Sequence, residues 1–266
     1  MNVPRCYAGH VQETAYRVRS LKIPSAFDGF KIAHISDLHS RPAEGAAEII
    51  ASAKPDITVI TGDLMQDDDK PIGEITALLK ELLSVSPVYM VTGNHDLWRM
   101  GHEQDLCELK KMGVRILDNE HAEIEKNGEK LAIYGVGDPF SRVPYIITKN
   151  LKKSFSELSD YDGYKILLFH RANLFDEIKD YGFDLILSGH MHGGQIALPY
   201  LGGMLAPSSA CLSGKRMFFP KYCSGVVEDG KTTMIINRGM GNTLPLPRWG
   251  NRPEVGIVTL LRCEKQ

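Results

Sequence analysis

Short apolar runs rich in β-branched residues recur along this sequence, with helix-like segments between them. The clearest runs are Lys31–Ser36, Asp56–Thr61, Pro87–Thr92, Tyr164–Phe169 and Asp184–Ser188. Each run is bounded by polar residues or glycine, which predicts a β-strand. Because the runs are apolar almost throughout, rather than alternating, we expect strands buried on both faces by helices or by another sheet. The pattern predicts a mixed α/β fold.

The segments between and after these runs complete the predicted architecture. Helices are predicted at Pro42–Lys54, Pro71–Leu83, Glu103–Met112 and Asn173–Tyr181. Further strands are predicted at Tyr16–Ile23, Thr232–Asn237 and Val255–Arg262. Glu123–Val136 is predicted to be a hairpin, because Asn127-Gly128 favours a type I′ turn between two strand-like arms.

One segment is too long for a simple connection between elements. Tyr200–Gly225 is rich in Gly, Pro and Ser, and we expect a functional rim loop with little regular structure there. No linker divides the chain. We therefore predict one domain over residues 1–266, in which residues 1–15 form a peripheral N-terminal segment.

Charge and cysteine content disfavour several classes of protein. The 31 Lys and Arg nearly balance the 33 Asp and Glu, for a net charge of −2, so we expect no broad nucleic-acid-binding face. No apolar run approaches the ~18–20 residues that span a bilayer, and the N-terminal region lacks a signal-like apolar stretch. The 5 cysteines form no Cys-x-x-Cys pair, which is typical of reduced thiols. We therefore expect a cytoplasmic protein.

Polar side chains follow five of the predicted strands. In chain order they are Asp37 and His39, Asp63, Asn94-His95-Asp96, His170, and His190 with His192. In open α/β sheets ligands bind outside the carboxyl ends of the strands, and Asp, Asn and His bind borderline divalent metals. His190 and His192 alternate, which sends both imidazoles to one side of an extended segment. Taken singly, each motif has a plain alternative: a helix cap or turn aspartate, a core histidine, or a pair of surface histidines.

The order of these motifs is more specific than any one of them. Asp-x-His, Gly-Asp, Gly-Asn-His-Asp, a lone His and Gly-His-x-His, each after a buried strand, together resemble the calcineurin-like metallophosphoesterase superfamily from about Lys31 to Leu260. The C-terminal part is similar to the bacterial phosphodiesterase branch of that superfamily, whose members are often membrane-associated. The segments that carry this similarity are Gly193–Pro199, Phe219–Tyr222, Ser224-Gly225, Asn237–Gly241 and Arg252–Glu254.

The sequence departs from that branch at two places. Many members carry an N-terminal membrane anchor or a twin-arginine signal, whereas this chain starts almost directly at its first strand region. Relatives usually have His-x-Pro where this sequence has His170-Arg171-Ala172. Contact with the periphery of a membrane and the substrate contacts near residue 171 are therefore left open.

The resemblance implies a two-sheet β-sandwich core flanked by helices, with a binuclear metal site at the carboxyl ends of the strands. Its implied ligands for one ion are Asp37, His39, Asp63 and His192. Those for the second ion are Asp63, Asn94, His170 and His190, with Asp63 shared. A shared carboxylate agrees with the electrostatics, because it screens two dications that otherwise repel each other. These ligand types favour Mn, Fe or Zn over Ca, and we expect Mn.

Catalytic and substrate-binding residues complete the predicted site. By resemblance, His95 protonates the leaving oxygen as a general acid and Asp96 orients its ring, during in-line attack by a metal-bridging hydroxide. Four arginines near the motif loops are candidate phosphate clamps, with solvated surface arginines as the alternative. They are Arg41, Arg171, Arg238 and Arg248.

These residues predict a metal-dependent phosphohydrolase that acts on a phosphate ester. Among such enzymes a phosphodiesterase is favoured. Two enzymatic alternatives are a pyrophosphatase for a nucleotide-linked lipid and a protein Ser/Thr phosphatase. In the long loop, Phe218, Phe219 and Tyr222 are candidates for an apolar rim around a lipid or nucleoside, or for an anchor of the loop. A non-catalytic scaffold of the same fold is disfavoured by the complete ligand set, and a DNA exonuclease by the charge balance. The oligomeric state is left open.

Overall fold

The architecture consists of two six-stranded β-sheets with helices on their outer faces. The computed structural model describes residues 11–41, 44–68, 72–141, 143–198, 200–207, 217–241 and 248–264. Its strands are β1 (Gln12–Ser20), β2 (Lys31–Ile35), β3 (Ile57–Thr61), β4 (Val88–Val91), β5 (Arg115–Ile116), β6 (Glu120–Lys126), β7 (Glu129–Val136), β8 (Lys165–Arg171), β9 (Leu185–Gly189), β10 (Ala197–Leu198), β11 (Gly202–Gly203), β12 (Gly225–Asp229), β13 (Thr232–Ile236) and β14 (Glu254–Arg262). Its α-helices are α1 (Ala46–Ala53), α2 (Gly73–Val85), α3 (Asn94–Trp98), α4 (His102–Met112), α5 (Pro144–Glu157) and α6 (Phe175–Ile178).

Parallel strands form the centre of each sheet. The first sheet has the order β1-β14-β2-β3-β4-β5, in which β2 to β5 run parallel and β14 is antiparallel to β2. The second has the order β12-β13-β9-β8-β7-β6, in which β13, β9, β8 and β7 run parallel. Its two edge strands belong to antiparallel hairpins. The carboxyl ends of the parallel strands in each sheet therefore lie at one edge.

The two sheets pack face to face around a shared apolar layer. Ile32 and Val59 of the first sheet are fully buried in one cluster with Ile133, Ile166 and Leu187 of the second. Helices α1, α2 and α4 cover the outer face of the first sheet, and α5 and α6 cover that of the second. The predicted two-sheet sandwich flanked by helices is confirmed, because strands that are apolar on both faces need a covering layer on each side.

The predicted hairpin illustrates how closely local sequence sets local structure. It consists of β6 and β7, which pair in antiparallel register from Glu120 with Gly135 to Lys126 with Glu129. Asn127 and Gly128 form its turn with φ of 52° and 82°, the positive values that a type I′ turn requires. The first arm begins three residues earlier than predicted, at Glu120 rather than Glu123.

The helical predictions are less complete. Helix α5 is absent from them, although its Ile147, Leu151 and Phe155 recur every fourth residue and are buried. Polar and charged residues fill most of its other positions and mask that period. The predicted helix Asn173–Tyr181 is broken into the single turn α6 between two 3₁₀ turns. Helix α3, which carries the Gly-Asn-His-Asp motif, is too short to give a periodic signal.

Two boundary predictions have mixed outcomes. Strand β1 starts at Gln12, inside the predicted peripheral segment, and pairs with β14 along its whole length at the sheet edge; residues 1–10 lie outside the described residues. In the predicted rim loop, the described parts contain only β11 and the first residue of β12, and residues 208–216 lie outside them. Within the described part of the chain, no helix combines the length and the apolar character needed to cross a membrane.

The shared layer between the sheets should dominate stability. Leu187→Ala leaves a cavity where the side chain is 0% exposed, so we expect the free energy of unfolding to fall by about 2–5 kcal/mol. Val226→Ala on edge strand β12, where the side chain is 51% exposed, is the control and should cost less than about 1 kcal/mol. Urea unfolding with a chelator present measures both, and equal losses would contradict this account of the core.

Candidate metal centre

Seven side chains converge at the carboxyl ends of the central strands. From the first sheet they are Asp37, His39, Asp63 and Asn94, and from the second His170, His190 and His192. None of the seven is more than 3% exposed. The structure thus brings every predicted metal ligand to one buried place, where polar groups need partners.

The backbone at this place is held in an unusual conformation. Five of the seven residues have φ in the left-handed region: Asp37 (51°), His39 (50°), Asp63 (50°), His190 (73°) and His192 (47°). This conformation is uncommon for residues other than glycine and costs on the order of 1–3 kcal/mol at each. Such strain persists only where the surrounding fold fixes it, and it clusters at functional sites. The strain therefore marks these strand ends as the functional edge of the molecule.

Two glycines let the carboxylates approach the backbone closely. A Cβ atom on Gly93 would overlap Oδ1 of Asp63, and one on Gly189 would overlap Oδ2 of Asp37. Any side chain at either position would displace a carboxylate. The glycines that end these strands are therefore required by close packing around the site.

Asp37, His39 and His192 form the first half of the site. The Nε2 atoms of the two histidines are 3.2 Å apart, and Oδ1 of Asp37 lies 3.5 Å from Nε2 of His192 and 3.9 Å from that of His39. Oδ2 of Asp37 accepts hydrogen bonds from the His190 N–H at 2.9 Å and from the Ser36 hydroxyl at 2.7 Å. These bonds fix the carboxylate and leave Oδ1 facing the two imidazoles.

Asp63, His170 and His190 belong to the second half of the site. Nε2 of His170 lies 3.2 Å from Oδ2 of Asp63 and 3.1 Å from Nδ1 of His190. Nδ1 of His170 donates to the Thr61 carbonyl at 2.7 Å, which turns Nε2 toward Asp63 and His190. Oδ2 of Asp63 also lies 3.7 Å from Nε2 of His39, so this carboxylate borders both halves.

The side chain of Asn94 is completely buried. It is 0% exposed, and neither Oδ1 nor Nδ2 has a hydrogen-bond partner among the residues that the structure describes. An amide buried without partners costs several kcal/mol in an apolar setting, on the order of 2–7. A cation coordinated by the carboxamide oxygen would remove part of that cost, so Asn94 fits the role of a metal ligand.

The electrostatics of the site favour a bound cation. Burial lowers the pKa of His39 and of His192 to about 3, so both rings are neutral, the form that binds metals. At His170 burial lowers the pKa, but the Asp63 carboxylate outweighs it and raises the pKa to about 10. Asp63 therefore draws positive charge into the centre. Carboxylate, imidazole and carboxamide donors without thiolate fit divalent transition metals.

His95 lies beside the buried ligands but remains accessible, with 16% of its side chain exposed. Its ring contacts that of His39 edge-on, at 4.8 Å between centroids, and its backbone N–H donates to Oδ1 of Asp63 at 2.8 Å. Nδ1 of His95 lies 2.9 Å from Oδ1 of Asp67. A carboxylate in this position fixes the orientation of the ring.

Asp96 does not contact the His95 ring, contrary to the prediction. Its Oδ1 accepts the N–H of Met65 and its Oδ2 that of Gly93, both at 2.8 Å. Asp96 is the third residue of α3, where a carboxylate turns back to cap the free N–H groups at the helix start. Adjacent residues on a helix do not face each other. The carboxylate beside the ring is therefore Asp67, from the loop after β3.

Asp67 is the contact that the sequence analysis missed. It lies four residues after Asp63 and begins an acidic run, Asp67 to Asp69, which is typical of a solvated loop. Its position on the same strand-end loop as a ligand is the signal that could have identified it. Only the packing of that loop against α3 distinguishes Asp67 from its acidic neighbours.

Two of the predicted phosphate clamps are engaged in ion pairs. Arg171 is fully buried and binds Asp138 through two nitrogens, with Nη2 to Oδ1 at 2.9 Å. Arg238 donates from Nε to Glu254 Oε2 and from Nη2 to Thr14 Oγ1, each at 3.0 Å. Each guanidinium neutralises a carboxylate that the fold buries, so neither is as free as predicted, and a phosphate contact by either residue stays a prediction.

The other two candidate clamps differ from each other. Arg248 is 5% exposed and donates to Nδ1 of His192 at 3.1 Å, so it lies behind the ligands rather than at the surface. Arg41 is exposed, and its role stays a prediction. His34 of β2 is buried, with Nε2 2.9 Å from the Thr61 hydroxyl, and it belongs to neither half of the site.

Comparison with known proteins agrees with this site. A family model described as calcineurin-like phosphoesterase matches residues 30–194, which include all seven ligand candidates. YkuE of Bacillus subtilis, named a metallophosphoesterase, is 30% identical over 260 residues, or 94% of this chain and 85% of that protein. YkoQ of the same organism, also named a metallophosphoesterase, is 32% identical over 84% of this chain and 81% of its own. YaeI of Escherichia coli, named a phosphodiesterase, is 28% identical over 96% and 90%.

Among solved structures, TT1561 of Thermus thermophilus covers 79% of this chain and 90% of its own at 13% identity, with a TM-score of 0.48. The assignment does not depend on that distant likeness. The family model spans more than half of the chain, and the relatives span nearly all of it. The resemblance seen in the ordered motifs is confirmed: this chain belongs to the calcineurin-like phosphoesterase family, whose members are metal-dependent phosphoesterases.

Proposed function

We propose that this protein is a phosphodiesterase that works with two divalent ions, for which Mn²⁺ is the favoured metal. The observation that carries the proposal is one buried cluster of seven ligand-type side chains beside one accessible histidine–aspartate pair. The similarity to YaeI, named a phosphodiesterase, supports the choice of a diester.

The ligand side chains would divide between the two ions as the halves of the site divide. One ion would be held by Asp37, His39, Asp63 and His192. The other would be held by Asp63, Asn94, His170 and His190. When bound, such ions supply Lewis-acid chemistry, since they acidify water and offset the charge of a phosphate ester. Asp63 would screen the two charges from each other.

His95 would act as the general acid. Because Asp67 engages Nδ1 of the ring, Nε2 is the nitrogen left to deliver a proton to the leaving oxygen. Asp67 would hold the ring in place and stabilise its positive charge. Both side chains are partly exposed, at 16% and 30%, so the ring can regain a proton from solvent after each turnover.

The shortage of free arginines among the four candidate clamps also favours a diester. A phosphate monoester is a dianion at neutral pH, whereas a diester carries one negative charge and leaves less charge to neutralise. Arg171 and Arg238 are committed to Asp138 and Glu254, and Arg248 is buried behind His192. Of the four candidate clamps, only Arg41 remains exposed to meet a phosphate.

A specific observation favours the alternative substrate, a nucleotide-linked lipid. Large apolar side chains are exposed on the loops that follow His192. They are Leu198, Tyr200, Leu201, Phe218, Phe219 and Trp249. Hydrogen bonds such as that from the Trp249 N–H to the Gln195 carbonyl join these loops to the ligand loop. An apolar rim of this kind suits an acyl chain, and peripheral membrane contact by a cytoplasmic protein stays a prediction.

Metal content provides the first test. We expect two divalent ions per chain and loss of activity on chelation, restored by Mn²⁺. Asp63→Asn should lose both ions because its carboxylate borders both halves, whereas His192→Ala should lose one. Elemental analysis after dialysis measures the stoichiometry. Full activity with one ion, or an Asp63→Asn protein that keeps both, would contradict the binuclear assignment.

Leaving-group dependence tests the general acid. An alkoxide needs a proton far more than a nitrophenolate does, so His95→Asn should lose roughly 10²–10⁴-fold on alkyl diesters and distinctly less on nitrophenyl esters. Asp67→Asn should show a weaker form of this difference, since it loosens the ring without removing it. Glu103→Gln, on the exposed side of α4, is the control and should change neither rate. Equal losses on both substrate types, with metal content intact, would show that His95 positions the phosphate and donates no proton.

A further inference from the structure

We propose that Arg248 is a positioning residue for the first half of the metal centre, and that one of the two ions depends on its guanidinium while the other does not. The inference rests on the proposed binuclear centre and extends it to a residue that is not a metal ligand and lies buried behind one. It replaces the sequence-based interpretation of Arg248 as a phosphate clamp.

The guanidinium of Arg248 is buried and fully directed into the protein. Nη1 donates to the carbonyls of Arg238 at 2.7 Å and Gly239 at 3.2 Å. Nη2 donates to the carbonyl of Gly241 and to Nδ1 of His192, the latter at 3.1 Å. Among the described residues its hydrogen bonds go to carbonyls and an imidazole and not to a carboxylate, although Asp37 and Glu254 lie close enough to act on its charge. A buried guanidinium is costly, and these contacts offset that cost by satisfying its donors.

One set of these contacts leads to Asp37. The turn at residues 239–241 lies directly on the ligand strand end: the Met240 N–H donates to the Ser36 carbonyl at 3.1 Å, and the Gly241 N–H to the Asp37 carbonyl at 2.6 Å. A Cβ atom on Gly239 would overlap that of Asp37. By joining the carbonyls of this turn, Arg248 holds the support on which the left-handed backbone of Asp37 depends.

The other contact leads to His192 directly. A guanidinium has only donors, so Nδ1 of His192 accepts the bond and the ring is fixed with Nε2 toward His39 and Asp37. The same short segment holds the backbone of this ligand as well, because the Asn251 amide donates to the His192 carbonyl. The segment 248–251 therefore clamps His192 at its ring and at its peptide.

The second half of the site shares one contact with the first, from the His190 N–H to Asp37 at 2.9 Å, and otherwise has supports of its own. His170 is oriented by the Thr61 carbonyl at 2.7 Å, and Asp63 by the His95 N–H at 2.8 Å. None of the hydrogen bonds of Arg248 involves a ligand of the second half. Loss of the guanidinium should therefore affect the two ions unequally.

Lysine cannot replace arginine in this role. The contacts spread over two terminal nitrogens and reach three carbonyls and one imidazole, which needs the planar fork of a guanidinium. A lysine ammonium keeps the charge but presents a single nitrogen. The pair of variants Arg248→Met and Arg248→Lys thus separates the effect of geometry from that of charge.

Binding of Mn²⁺ in the absence of substrate tests the proposal. Titration followed by the electron paramagnetic resonance of free Mn²⁺ should show two ions on the unaltered protein. In Arg248→Met one ion should bind as before and the other about 10–100-fold more weakly, and Arg248→Lys should show a smaller but clear loss at the same ion. Arg238→Lys is the matched control, because that side chain binds Glu254 and Thr14; it should keep both ions.

Double variants identify which ion is affected. Arg248→Met added to His39→Ala should remove nothing further, because both act on the first half, whereas added to His170→Ala it should leave no tightly bound ion. Unchanged affinity for both ions in Arg248→Met, or equal weakening of both, would overturn the proposal. Circular dichroism checks that each variant folds. If Arg248→Met does not fold, the Mn²⁺ affinities of Arg248→Lys test the proposal. A single ion on the unaltered protein would instead refute the binuclear centre itself, and this inference with it.

Discussion

The carboxylate of Asp63 is the group around which the site is arranged. Its Oδ2 lies 3.2 Å from Nε2 of His170 and 3.7 Å from Nε2 of His39, while its Oδ1 accepts the N–H of His95 at 2.8 Å. One buried side chain therefore sets the spacing of both halves of the site and the start of helix α3. A buried charge is tolerated only with such partners, so a substitution of Asp63 alters all of these contacts at once.

The two-sheet core stabilises this arrangement of buried side chains. Left-handed backbone at residues such as Asp37 and Asp63 is unfavourable by itself, and it persists because the strands that precede them are packed on both faces. Ligands at strand ends are held more rigidly than ligands on free loops, which keeps their spacing within the narrow range that metal binding requires. Core packing is thus the condition for the geometry of the site.

Three histidines of the site show how one residue type serves different ends. The ring of His170 is oriented by a backbone carbonyl, that of His192 by the guanidinium of Arg248, and that of His95 by the carboxylate of Asp67. The carbonyl and the guanidinium orient two buried rings among the candidate ligands, whereas the accessible carboxylate orients the ring of His95 beside them. The second partner of each ring therefore fixes the direction in which its free nitrogen points.

The sequence by itself determined the layered fold and the side chains that follow its strands. Each ligand follows a short apolar run, and an apolar run is a local signal that specifies a buried strand wherever it occurs. Since the carboxyl ends of parallel strands meet at one edge of a sheet, the approach of Asp37 to Asp63 could be predicted without distances, whereas the arrival of His190 from the second sheet depends on how the sheets pack. Helix α5 was not predicted because this local signal is weak there: polar residues mask the periodic pattern of its buried apolar positions.

Only the tertiary structure decided which side chain stands beside each ligand. Asp96 is the neighbour of His95 in the sequence but caps a helix, and Asp67 from another strand end takes the place beside the ring. Arg248 and His192 are 56 residues apart and meet through a turn that no local pattern describes. Hydrophobic periodicity encodes elements and their buried faces. It carries no information on how loops from different strands pack against one another, and those contacts orient the side chains of this site.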